Sequence, residues 1–170
     1  MTAMANEIEF WSEDRQFGLR MTEKQLKEIL RLCKRACPLE TGGILIGHYT
    51  DSNDCAVVTE ITNAPPDSRS GNQWFVRGVR GLQKKLDRLW RRGNGFYLGE
   101  WHFHPFGSPS PSHTDGEQMQ EISKTEKYHC PEPVLLILGG DPESNWTAQA
   151  YAFPRGRKFL AMRNSNTDNA

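Results

Sequence analysis

Apolar and polar residues alternate along this chain with two different periods, and the switches between them mark out its elements. A short β-hairpin is predicted around "IEFW" and "QFGLR". Thr22 followed three residues later by Gln25 is a capping box, and it opens the stretch "TEKQLKEILRLCKRAC". In that stretch Leu26, Ile29, Leu30, Cys33 and Cys37 fall on one helical stripe, and Pro38 helps to end it. "GGILIGHY" and "CAVVTEIT" read as strands, whereas the prolines and small polar residues of "NAPPDSRSGNQ" read as loop. Val79, Leu82, Leu86, Leu89 and Trp90 then mark a second helix, closed by Gly93 and Gly95.

The strand that follows, "FYLGEWHFH", has a period of two, which places Trp101 and Phe103 on one face and Glu100, His102 and His104 on the other. After a proline-punctuated loop, Ser112 or Thr114 caps a third helix through "DGEQMQEISKTEK". A turn containing His129 and Cys130 leads to the strands "PVLLILGG" and "WTAQAYAF". Residues 157–170, ending "NSNTDNA", read as a flexible C-terminal tail. Apolar strands between amphipathic helices give an α/β fold class, a single layered domain over residues 1–156, with no internal repeat.

The bulk numbers narrow the function. A chain of 170 residues suffices for one domain with a real core. Its 21 basic and 21 acidic side chains cancel, so no whole-chain field draws it to nucleic acid or anionic lipid. The four cysteines, Cys33, Cys37, Cys55 and Cys130, contain no CxxC pair and read as reduced thiols. No apolar run is long enough to span a bilayer, and "MTAMANEIEFWSEDR" lacks the regions of a signal peptide. The expected location is therefore the cytoplasm, with neither nucleic acid nor membrane as partner.

Against this background "HFHPFGSPSPSHTD" stands out. Imidazoles at i and i+2 of a strand point to one side, about 6 to 7 Å apart along the chain, a span that one divalent ion bridges. Asp115 supplies a carboxylate as third ligand, brought back by the loop. Two histidines and a carboxylate are a zinc set that keeps a fourth position open for water, as catalytic sites do. Taken separately the signals are bland: exposed strand histidines are ordinary, and Ser112 with Asp115 is also a helix cap. A cupin would place a glutamate a few residues after the second histidine, a metallo-β-lactamase-like site would continue into Asp-His, and a non-haem iron triad usually pairs one histidine closely with an acid. None of these spacings is present.

The segment resembles the JAMM metalloproteases, the catalytic members of the MPN family, whose pattern is His-x-His-Pro followed by Ser-x-x-Asp. "ETGGILIG", from Glu40 to Gly47, supplies the upstream half of that signature, and the resemblance covers roughly residues 20 to 153. It implies a central mixed sheet flanked by helices. It also implies one Zn²⁺ per chain on His102, His104 and Asp115, with Glu40 as general acid/base on a catalytic water and Ser112 as oxyanion donor. From the residues alone Glu100, which shares the face of the two histidines, is a rival to Glu40. The implied substrate is a protein with a flexible C-terminal tail, cut at the isopeptide or peptide bond that follows it. Among such enzymes the chain is most similar to the bacterial, CBASS-associated isopeptidases of anti-phage conjugation systems, where the partner is a CD-NTase conjugate. A ubiquitin-like protein or a sulfur-carrier precursor is the alternative substrate, and a noncatalytic zinc-stabilised binding module the alternative class.

Three further features remain. The loop 63–75 is placed like the family's substrate-binding insertion, and Trp74 and Phe75 within it are candidates either for packing on the substrate tail or for core. Arg77, Arg80, Lys84, Lys85, Arg88, Arg91 and Arg92 surround the apolar stripe of the second helix and read as a solvated face, or as a dock for an acidic substrate body. His129 and Cys130 lack the companions that a second zinc would need.

Overall fold

The computed structural model describes residues 6–93 and 95–165. The chain opens with the predicted hairpin, β1 (Glu7–Ser12) and β2 (Gly18–Thr22), and continues into α1 (Glu23–Ala36) through the capping box, in which the Gln25 amide N–H donates to the Thr22 hydroxyl at 3.2 Å and the Gln25 side chain accepts from the Thr22 N–H at 2.8 Å. Strands β3 (Thr41–Tyr49) and β4 (Cys55–Ile61) follow. The segment expected to be loop carries a small hairpin of its own, β5 (Arg69–Ser70) with β6 (Phe75–Val76). Then come α2 (Leu82–Arg92), β7 (Phe96–Pro105), α3 (His113–Lys124), a 3₁₀ turn at Glu126–Tyr128, β8 (Val134–Gly140), β9 (Trp146–Ala152) and β10 (Leu160–Asn164).

The sheet is mixed, as expected: β2 runs parallel to β4 and β7 parallel to β8, while the other pairings are antiparallel. It is not an open central layer, however. Its strands close in the order β1-β10-β9-β8-β7-β3-β4-β2. The closing element lies in the segment expected to be a loose tail. β10 pairs with both β1 and β9, so residues 160–164 are part of the domain and the boundary at 156 is corrected. The physical reason is the edge: without β10, β1 and β9 would each present a row of unpaired backbone groups. Residues 166–170 of the expected tail lie outside the described residues.

Alternation along the strands feeds two apolar clusters. One gathers Leu45, Leu98, Trp101, Phe103, Leu136 and Leu138 with Ile29, Leu32 and Cys33 of α1. The other gathers Ile44, Ile46, Tyr97, Leu135 and Ile137 with Leu82 of α2 and Met119 and Ile122 of α3. The phase of β7 changes once, because its register against β3 shifts between Leu45↔Gly99 and Ile46↔Tyr97, leaving Leu98 as the extra residue of a bulge. Leu98 and Trp101 therefore share one cluster although they are three apart, and Tyr97 and Glu100 share the opposite face. Gly99 permits this: its φ is +152°, and a Cβ there would stand 1.9 Å from the Val134 carbonyl oxygen.

Candidate metal centre

Strand β7, just beyond its bulge, places Glu100, His102 and His104 on the face turned to α3, as the period of two predicts. Asp115 comes from the first turn of α3. One side chain serves two ends here, because Asp115 is both the capping-box partner of Ser112 and the neighbour of both histidines. The Asp115 N–H donates to the Ser112 hydroxyl at 3.1 Å, and the Ser112 N–H donates to Asp115 Oδ2 at 2.8 Å. The cap expected from the sequence is present, and it leaves Asp115 beside both histidines. The cap fixes the carboxylate that the histidines meet.

His102 Nδ1 lies 3.0 Å from Asp115 Oδ1, and His104 Nε2 lies 3.3 Å from Asp115 Oδ2. One ligand atom from each of the three residues falls within 4.8 Å of the others. The remaining ring nitrogens are occupied from behind: His102 Nε2 by the Glu100 carboxylate at 3.3 Å, and His104 Nδ1 by the Ser108 carbonyl at 3.0 Å. Histidines that hold a metal commonly have their far nitrogen engaged in this way. The residues fit a divalent ion with two imidazoles and a carboxylate, and no buried side-chain polar atom is left without a partner among the described residues.

The electrostatics agree with a site built for positive charge. Burial alone would lower His102, but hydrogen bonds to Asp115 and Glu100 outweigh it and raise its pKa to about 9. Burial likewise opposes, and Asp115 and the Ser108 carbonyl reverse, the shift of His104, which is upward. Burial would raise Asp115, yet its bonds to the two histidines hold it far below the usual carboxylate range.

Glu40 and Glu100, the two rivals, are placed very differently. Glu40 ends the turn before β3 and is half-buried; it lines a groove of about 470 Å³ together with Gln73, His104, Phe106, Ser108 and Ser112. Burial pushes its carboxyl pKa up, and Asp115 adds to this against the lowering by the histidines. Glu100 is buried behind His102, with its Oε1 accepting from Arg77 Nε at 2.7 Å and from the Tyr97 hydroxyl at 3.1 Å. It has no place in that groove. Burial opposes, but His102 and Arg77 win, and Glu100 is held below the usual range.

Arg77, expected in the solvated basic face, is instead this buried partner and precedes α2. Lys85 is paired with Glu60, and Arg80, Lys84, Arg88, Arg91 and Arg92 are exposed. The aromatic pair of the loop divides. Phe75 is buried with its ring edge-on to His102 at 5.5 Å, while Trp74 is exposed beside the groove residue Gln73. His129 stacks on Trp90 at 4.3 Å, and Cys130 is buried against Leu98. Among the described residues, His102, His104 and Asp115 are the group able to hold a metal. The cysteines are free; burial raises Cys33 to about 12 and Cys55 and Cys130 to about 11, which leaves them protonated and inert. Among the described residues no helix is long and apolar enough to cross a membrane.

Residues 22–151 match the family model described as prokaryotic homologs of the JAB domain. The chain is 40% identical over 157 residues to a CD-NTase/cGAS isopeptidase of Enterobacter hormaechei subsp. hoffmannii, covering 92% of this chain and 87% of that one. It is 30% identical over 151 residues to a probable metalloprotease of Sinorhizobium fredii, covering 87% and 91%. In three dimensions it is similar to a protein of Desulfitobacterium hafniense whose structure was determined in solution, with a TM-score of 0.58 at 19% identity over 86% of this chain and 88% of the other. That last likeness speaks for the fold.

Proposed function

Since this chain belongs to the JAB/MPN family, among the prokaryotic homologs of the JAB domain, we propose that it is a zinc-dependent isopeptidase. Its substrate in this reading is a CD-NTase joined through its flexible C-terminal tail to another molecule, and its setting the cytoplasm of a bacterium defending itself against phage. The observation that carries the reading is the convergence of His102, His104 and Asp115 beside a groove lined by Glu40 and Ser112. The 40% identity to an isopeptidase acting on CD-NTase/cGAS supports the substrate class.

His102, His104 and Asp115 would hold the ion. A zinc ion supplies Lewis-acid chemistry, acidifying water and polarising an amide carbonyl. Glu40 takes the proton of the attacking water, a role suited to a carboxyl whose pKa burial has raised, and passes it to the departing amine nitrogen. Ser112 accepts the Asp115 N–H with its oxygen, so its own O–H is free to donate to the carbonyl oxygen as charge develops there. The exposed Phe106 in the groove, with the exposed Leu39 and Trp74 adjoining the groove residues Glu40 and Gln73 in sequence, offers apolar surface to an extended tail. No cysteine takes part.

The test is cleavage of a CD-NTase linked by its C-terminal amide to a reporter protein. Release is expected with zinc and none with a chelator. Glu40→Gln is expected to lower turnover by about 10²-fold or more while still binding zinc. Failure to cut this substrate or a ubiquitin-like fusion in the presence of zinc overturns the isopeptidase reading. Cutting only the ubiquitin-like fusion overturns the substrate assignment alone.

A further inference from the structure

We infer that Arg77 and Glu100 are a positioning pair: they hold His102 with Nε2 donating backwards and Nδ1 turned towards Asp115, and they tie the β5–β6 hairpin to the metal ligands. The inference rests on the metal site proposed above and names the residues that set its geometry.

Both side chains are almost wholly buried, at 7% and 2% exposure. Arg77 Nε donates to Glu100 Oε1 at 2.7 Å, Arg77 Nη2 donates to the Tyr128 hydroxyl at 2.9 Å, and Nη1 donates to the Gly78 carbonyl at 2.9 Å. The Tyr97 hydroxyl donates to the same Oε1 at 3.1 Å. This leaves Oε2 for His102 Nε2. A buried ion pair is a poor source of stability, because desolvating two charges offsets their attraction and an apolar pair of similar size often does as well. What such a pair does supply is direction: a carboxylate pinned on one oxygen presents the other at a fixed point.

The direction matters because His102 has two nitrogens and only one can face the ligand cluster. When a metal takes the place of the second proton of the ring, the acceptor-only carboxylate behind it keeps the N–H on Nε2, and so leaves the Nδ1 lone pair for the ion. The hairpin enters by covalent continuity. Arg77 directly follows β6, Phe75 of β6 lies against the His102 ring, and the Gly71 carbonyl between the two strands accepts the Glu40 N–H at 2.8 Å. Gly42 makes room for this, since a Cβ there would lie 2.8 Å from the Phe75 ring and 2.9 Å from His102. One short hairpin thus braces the ligand His102 from the side and, through Arg77 and Glu100, from behind.

Glu100→Gln is the informative variant. The Arg77 fork demands the amide oxygen, which turns the amide NH₂ towards His102 Nε2 and favours the opposite tautomer, with Nδ1 protonated against the metal. Zinc affinity is expected to fall by about ten- to a hundredfold, and at saturating zinc kcat should drop with KM unchanged. The ¹⁵N shifts of His102 in the zinc-loaded wild type should show the proton on Nε2. In case the single variant does not fold, the double variant Arg77→Met/Glu100→Leu strands neither charge and should show the same loss of zinc affinity with its β-rich circular dichroism retained. Wild-type zinc binding together with equal binding by these variants, or a wild-type proton on Nδ1, overturns the positioning role alone. A wild type that binds no zinc overturns the functional reading and this inference with it.

Discussion

At the scale of single residues, the site is a set of charges for which a proton and the proposed metal ion would compete. In the metal-free protein His102 titrates at about 9 instead of the ordinary 6.5, and His104 is shifted the same way. A raised folded-state pKa contributes stability that is complete below the unfolded value and is lost as pH climbs through the folded one. The chelated protein should therefore lose thermal stability between about pH 6.5 and 9, whereas zinc binding, which requires the unprotonated rings, should strengthen over the same window. Melting with zinc and with chelator at pH 6, 7.5 and 9 checks this: the gap between the two curves should widen with pH, and a constant gap refutes it. The convergence of His102, His104 and Asp115 was legible in the sequence because strand period and the return of the loop bring the three together. The standing of Glu100 was not, since what decides it are Arg77, Tyr97 and Tyr128, and the contacts with Arg77 and Tyr128 come from segments far away in the chain.

At the scale of elements, most boundaries followed from periodicity and caps, and the departures were local. The bulge in β7 is a single residue, too small to disturb the apparent alternation of "EWHFH", yet it puts Tyr97 in phase with Glu100. Gly99→Ala tests how firmly it is set. The backbone strain alone is worth about 1–3 kcal/mol, and the added methyl meets the Val134 carbonyl besides. Urea unfolding of the variant should show a stability loss of at least that size. A loss well below about 1 kcal/mol would mean that the bulge moves elsewhere at little cost. The short strands β5 and β6 were read as loop because two residues each, in a stretch rich in proline and small polar side chains, carry no period.

At the scale of the whole molecule, closure of the sheet depends on a strand that composition disguises. In "LAMRN" only Leu160 and Met162 mark an inward face, and the polar run after it suggests fraying. Removing residues 157–170 should leave β1 and β9 as open edges beside Phe10 and Ala150 of the first apolar cluster. Such a truncated chain is expected to aggregate or to lose its cooperative melting transition, as circular dichroism on heating would show. A truncated protein that melts within a few degrees of the full chain would make β10 an ornament. The neighbouring of β1 and β10 has another consequence. Phe10 sits opposite Asn164, and the Ser165 N–H donates to the Glu9 carbonyl at 2.9 Å, so the first and last strands end side by side. A short peptide could splice those ends into a ring, and the ring could be reopened at the tight reversal between β8 and β9, residues 141–145. The reordered gene should then yield a protein that still captures zinc, with both new ends at the β8–β9 turn.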